Sequence, residues 1–173
     1  MSSSPSKPIE PWKVIDSTFP YRDEWLTLRS DTVMLPNGLT LSPYHTIECP
    51  DWINVIAISR ADDIILLEEY RHGAKQTILQ VPGGHVEADE TPETTAKREL
   101  LEEAGYSGGR WYKLGTLFPV ASRFTNQLHT FLALDVIKVA SPTPAAGEII
   151  RLREISWLEF VSGMHAGDRK SVV

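Results

Sequence analysis

The chain has 173 residues, room for one domain of ordinary size with an extension. Hydrophobic residues make up 42% and charged residues 23%, enough to bury a core unaided, and the single cysteine, Cys49, excludes an intrachain disulfide framework and a cysteine-rich zinc site. Lys and Arg number 17 against 23 Asp and Glu, and the net charge of -6 argues against non-specific binding to nucleic acid or to an anionic membrane.

The opening Met-Ser-Ser-Ser-Pro-Ser-Lys-Pro lacks the charged-then-apolar plan of a signal peptide, and no apolar run approaches the ~20 residues that span a bilayer. The expected compartment is therefore the cytoplasm. Residues 1–10 are rich in Ser and Pro and read as a disordered tail. A strand-rich stretch follows, in which Asn37-Gly38 is a hairpin signal between residues 31–34 and 39–41. After Pro50 and Asp51, the apolar runs 54–58 and 64–67, joined by the turn-like residues 59–63, read as adjacent antiparallel strands. Residues 78–81 make a further short strand, stopped by Pro82-Gly83-Gly84. The best-supported element is a helix. Thr91 caps it, Pro92 fits its first position and Gly105 ends it, while Ala96, Leu100 and Ala104, widened by Leu101, form its apolar stripe. Beyond it, residues 111–117, 128–139 and 149–157 read as strands, with a loop over 141–147 between the last two. Ser156 caps a last helix over 158–165, and Asp168 offers another helix start. Strands, helix, strands, helix is the order of a mixed sheet covered by helices.

The long helix conflicts with its own propensities. Glu99, Glu102 and Glu103 lie at i, i+3 and i+4, on one face, where like charges cost about 0.2–0.5 kcal/mol per pair. Glu102 and Glu103 also occupy the last turn, where the macrodipole disfavours anions. Two readings follow: a solvated acidic face, or a site for a hard cation such as Mg²⁺, whose usual protein ligands are converging carboxylates. The neighbours favour the site. Gly83-Gly84 lets a backbone carbonyl approach a metal or phosphate, Glu90 precedes the helix, and Arg98 has the geometry to hold a carboxylate.

Gly84, five residues, Glu90, seven residues, then Arg98-Glu99-Leu100-Leu101-Glu102-Glu103-Ala104-Gly105-Tyr106 resembles the Nudix box, G-x5-E-x7-R-E-U-x-E-E-x-G-U, and departs from it only at Tyr106, where the family carries an aliphatic residue. The resemblance implies an α+β fold, a Nudix-type α/β/α sandwich with a mixed sheet, preceded here by an N-terminal antiparallel β region. It also implies cleavage of a diphosphate linked to another moiety with Mg²⁺ or Mn²⁺. Carried over by position, Glu99 and Glu103 are the main metal ligands, Glu102 assists, the Gly83 carbonyl is a further ligand, and Arg98 and Glu90 are orienting groups.

The chain from about Trp12 onward resembles the ADP-ribose pyrophosphatase and nucleoside diphosphate sugar hydrolase branch. The similar segments are residues 25–29, 31–38 and 50–55, Glu69-Tyr70-Arg71, and residues 80–84. The resemblance implies an N-terminal β region over 11–49 that swaps between the subunits of a homodimer, a Nudix domain over 50–173, and a nucleoside diphosphate sugar as substrate, ADP-ribose first and GDP- or UDP-sugars next. Arg71 matches an arginine near the phosphates, and Glu148 lies where the branch carries an acid that binds metal or activates water. Phe19, Trp25 and Trp52 are candidates for stacking on a nucleobase, with a core or interface role as the alternative. His72, His85 and His129 are candidate ligands, with a structural role, the commoner one for lone histidines, as the alternative. Residues 119–126 replace the Ser-Pro-Gly-containing loop of ADP-ribose enzymes, which bears on the choice of sugar. The competing classes are a silent binding protein of the same fold, which would usually lack box glutamates, and a Nudix hydrolase of another nucleoside diphosphate derivative.

Overall fold

The computed structural model describes residues 8–166. The tail expected over 1–10 falls largely outside these residues, and the helix start at Asp168 wholly so. The chain divides into two compact units. One holds Met1–Cys49 with Phe118–Asn126, the other Pro50–Leu117 with Gln127–Val173. Among the described residues no helix is long and apolar enough to cross a membrane.

The first unit is an antiparallel sheet in the order β1 (Lys13–Arg22), β2 (Thr27–Met34), β3 (Thr40–Glu48). Its second hairpin turns at Asn37-Gly38: Gly38 takes a left-handed φ of 84°, its N–H donates to the Leu35 carbonyl at 2.9 Å, and the Asn37 side chain accepts the Leu39 N–H at 3.0 Å. Strand β1, which the sequence did not mark out, breaks register between Thr18 and Tyr21, where Pro20 withholds a ladder donor. The buried Asp31 accepts Ser17 Oγ at 2.6 Å and Arg29 Nε at 3.0 Å, and Arg29 reaches across to Glu48. The later segment Phe118–Asn126 runs beside β3. Ile47 N–H donates to Arg123 O at 2.7 Å, Thr125 N–H to Ile47 O at 3.1 Å, and Tyr44 Oη–H to Ser122 O at 2.6 Å.

The second unit contains β4 (Trp52–Ser59), β5 (Asp63–Arg71), β6 (Gln76–Gln80), β7 (Gly83–His85), α1 (Pro92–Ala104), β8 (Tyr106–Ser107), β9 (Arg110–Leu117), β10 (Leu128–Lys138), β11 (Ile150–Ser156) and α2 (Trp157–Ala166). Its sheet runs β11-β5-β4-β10-β8, with β6 on β5, β7 on β4 and β9 on β10. The β10–β4 pair is parallel and the other pairs are antiparallel, so the sheet is mixed, as expected. Strands β4 and β5 pair only beside their turn, at Ala57↔Ile65 and Ile58↔Ile64. Beyond it β4 pairs instead with β7. Pro82-Gly83-Gly84, read as a stop, is thus the entry to a strand. Glycine is a poor strand former, and only pairing with β4 holds it extended.

Alternation along β4 and β5 covers both faces of the sheet. Ile53, Val55, Ala57, Ile65 and Leu67 pack with Ala96, Leu100 and Ala104 of α1. Ile64 and Leu66 pack with Ile155 and with Phe160 of α2. Helix α1 begins in a capping box, Thr91 Oγ1 accepting the Thr94 N–H at 3.2 Å and Thr94 Oγ1 the Thr91 N–H at 2.8 Å. It ends at Gly105, whose left-handed φ of 75° and close approach to the Ala140 carbonyl both exclude a side chain. One apolar position differs from expectation: Leu101 is exposed at 39%, and Glu103, 2% exposed, is buried in the sheet-facing side instead.

Candidate active site

The strand β7 and helix α1 bring the box together. Gly83 N–H donates to Glu103 Oε2 at 2.9 Å, so the buried carboxylate is tied to the turn that precedes the helix. A Cβ on Gly84 would strike the Glu99 carboxylate, and one on Gly83 would strike the Ile53 carbonyl. Close approach to backbone therefore requires the glycine at 83, whereas at 84 a side chain would displace Glu99.

Arg98 organises the outer acids. Its Nε and Nη2 donate to the two oxygens of Glu90, each at 3.0 Å, and its Nη1 to Glu99 Oε1 at 2.9 Å and Glu102 Oε2 at 3.0 Å. Glu90 also accepts Thr95 Oγ1 at 2.8 Å. The Arg98 hydrogen bonds, with that from Thr95, hold the Glu90 carboxyl below its usual range. Glu99 and Glu103 shift the other way. Burial raises Glu99, against the pull of Arg98. Burial pushes Glu103 up to about 8, opposed by the Gly83 N–H and reinforced by the charges of Glu99, Glu148 and Glu69.

Among the described residues no three acids, histidines or cysteines already converge as a metal cage. Arg98 occupies oxygens of Glu99 and Glu102, and Gly83 one of Glu103. The donor chemistry nonetheless suits a hard divalent cation. The inner carboxylates are oxygen donors whose burial and mutual repulsion Arg98 and the Gly83 N–H offset only in part, and a cation would offset both.

The other expected residues fall as follows. Glu148 sits in the loop before β11, accepts the Ala145 N–H at 3.0 Å, and lies close enough for its charge to raise both Glu99 and Glu103. Arg71, at the end of β5, lines a cavity of about 340 Å³ together with Trp52, Asn54, Gln80 and Gly83. Trp52 meets the His85 ring edge-on at 4.1 Å, and burial, with the Arg71 charge, lowers the His85 pKa. Phe19 lies under the Arg22 guanidinium at 5.0 Å in the first unit, and Trp25 there is 65% exposed. His72 lies against Tyr70, and buried His129 bridges Thr116 and Asp51 at 2.9 and 3.0 Å. The sequence reading missed Glu69 and Gln80 as site residues. Glu69 is 8% exposed within β5, and the signal for it was a carboxylate continuing a buried strand run.

A NUDIX domain model matches residues 51–172, and a nucleoside diphosphate sugar hydrolase N-terminal domain model matches residues 12–47. The chain is 32% identical over 154 residues to a methanol dehydrogenase activator of Bacillus methanolicus, covering 84% of this chain and 80% of that protein. It is 35% identical over 112 residues to an ADP-ribose pyrophosphatase of Bacillus subtilis, covering 64% of this chain and 60% of that one. Among solved structures, one described as an ADP compounds hydrolase superposes with a TM-score of 0.80 at 21% identity, over 92% of this chain and 86% of that one, a likeness of fold.

Proposed function

Because the chain belongs to the Nudix hydrolase family, we propose that it hydrolyses the diphosphate bond of a nucleoside diphosphate sugar, ADP-ribose first and GDP- or UDP-sugars next, to a nucleoside monophosphate and a sugar phosphate. The observation that carries this reading is the buried Glu103, held by Gly83 beside Glu99, where Gly83 also lines the cavity that holds Arg71. The two relatedness findings that support the substrate class are the N-terminal domain match and the similarity to an ADP-ribose pyrophosphatase.

Glu99, Glu103 and Glu102, with the Gly83 carbonyl, would hold Mg²⁺ or Mn²⁺, which when bound neutralises and polarises the diphosphate. Arg98, itself held by Glu90, orients Glu99 and Glu102. Arg71 grips phosphate oxygens through paired donors. Glu148 takes the proton of the attacking water as a phosphorus–oxygen bond of the diphosphate breaks. The reading also includes a cytoplasmic homodimer joined through residues 11–49, supported by the half-exposed Val14, Ile15, Phe19 and Tyr21 of β1.

A panel of diphosphates incubated with the purified chain and Mg²⁺ or Mn²⁺ tests the proposal, products being separated chromatographically. A nucleoside monophosphate and a sugar phosphate are expected from a nucleotide sugar. Indifference to every nucleotide sugar, with hydrolysis of a nucleoside triphosphate or a dinucleoside polyphosphate, would refute it.

A further inference from the structure

We propose that Glu69 and Gln80 are positioning residues that clamp Arg71 in the pose in which it receives the diphosphate, an inference that rests on the phosphate-binding reading of Arg71. Strands β5 and β6 are antiparallel with Leu67 opposite Gln80 and Arg71 opposite Gln76. Leu67, Glu69 and Arg71 alternate onto one face, and a residue opposite Leu67 shares that face, so Gln80 stands diagonal to Glu69. The three side chains close a ring. Arg71 Nε donates to Gln80 Oε1 at 3.0 Å, Gln80 Nε2 donates to Glu69 Oε2 at 3.0 Å, and Arg71 Nη2 lies 3.1 Å from the same Glu69 oxygen.

The ring fixes two of the three guanidinium nitrogens. The third, Nη1, takes no protein partner among the described residues, and with the second N–H of Nη2 it leaves an end-on pair of donors. Both Arg71 and Gln80 line the cavity, with Gly83, the residue that holds Glu103. A free arginine would lose its rotamer freedom when substrate arrives, whereas the clamped one has lost it on folding. Such preorganisation serves substrate and transition state alike, so its loss raises KM and leaves kcat.

The donor and acceptor pattern survives an exchange of the two partners. With Glu69→Gln and Gln80→Glu together, Arg71 Nε still meets an oxygen at position 80. The new amide donates to the new carboxylate, and its oxygen accepts Arg71 Nη2. Gln80→Glu alone sets two carboxylates side by side.

Steady-state kinetics on ADP-ribose, or the nucleotide sugar that turns over best, with Mg²⁺ test the clamp. Arg71→Met and Gln80→Met are each expected to raise KM by about tenfold or more, with kcat for Gln80→Met within about twofold of the parent. The exchanged double variant should return KM to within about threefold, and Gln80→Met should add nothing in an Arg71→Met background. If Arg71→Met leaves KM unchanged, the reading of Arg71 falls and the clamp with it, as both do if no nucleotide sugar turns over. If Arg71→Met raises KM while Gln80→Met does not, or the exchanged variant stays as impaired as Gln80→Glu, the clamp alone is wrong. Should Gln80→Met not fold, the comparison of Gln80→Glu with the exchanged variant decides.

Discussion

A buried carboxylate with few compensating donors is a liability unless something positive comes to it, and Glu103 is such a group. Its folded value of about 8 stands above the ordinary 4.5 it would show in the unfolded chain. The metal-free fold therefore binds a proton that the unfolded chain lacks between these values. This contribution to stability is fully present below 4.5 and is lost as pH rises through about 8. Melting in a chelator should show the parent protein losing more stability between pH 6 and pH 9 than the Glu103→Gln variant, whose amide does not titrate over that range. Equal losses would mean that Glu103 does not carry the proton. The same variant keeps the Gly83 hydrogen bond, so its fold should persist while turnover falls at least about 100-fold, as expected when a charge at the reacting centre is removed. Near-parental turnover with added Mg²⁺ would remove Glu103 from the proposed metal site. Periodicity alone misplaced this residue. It counts glutamate as polar and put Leu101 in the stripe, yet Leu101 is exposed and Glu103 is buried. What singled it out was the run of like charges on one helix face, set against the macrodipole, together with the spacing of the whole box from Gly84 to Tyr106. Glu69 escaped for the same reason, since one acid in Glu68-Glu69-Tyr70-Arg71 looks like any other until the ladder assigns it a face.

The elements show where local chemistry suffices and where it does not. Helix α1 was legible end to end because its signals are local: Thr91 and Pro92 start it and Gly105 stops it. Strand β7 was not, because two glycines become a strand only when β4 lies beside them. The two glycines should also fail differently. In Gly83→Ala the new methyl meets the Ile53 backbone carbonyl and the Asn54 side chain, neither easily displaced, and overpacking of this kind costs about 1–3 kcal/mol. In Gly84→Ala the obstacle is the tip of Glu99, which can swing away, so stability should change by about 0.5 kcal/mol or less. Turnover should nevertheless drop on the order of 100-fold, because a proposed ligand has moved. Denaturant melts and rate measurements on the two variants check this; comparable stability losses would contradict the assignment of Glu99 as the yielding neighbour.

At the scale of the whole molecule, the half-exposed Val14, Ile15, Phe19 and Tyr21 make the first unit a poor monomer surface. Light scattering at micromolar concentration should return the mass of two chains, and Ile15→Asp should shift it toward one; a parent protein with the mass of a single chain would rule the homodimer out. The segment Phe118–Asn126 has a different bearing. It lies far along the chain, yet its backbone is held by Ile47 and Tyr44 of β3. If that loop selects the sugar, the first sheet is also part of the specificity apparatus, because it holds the loop in shape. A chimera spliced at the Cys49–Pro50 boundary would then give the recipient a loop without its backing strand. Recombination among such enzymes would keep new preferences only when the β3 segment and the loop are inherited together, two stretches of gene that must travel as one although most of the catalytic domain lies between them.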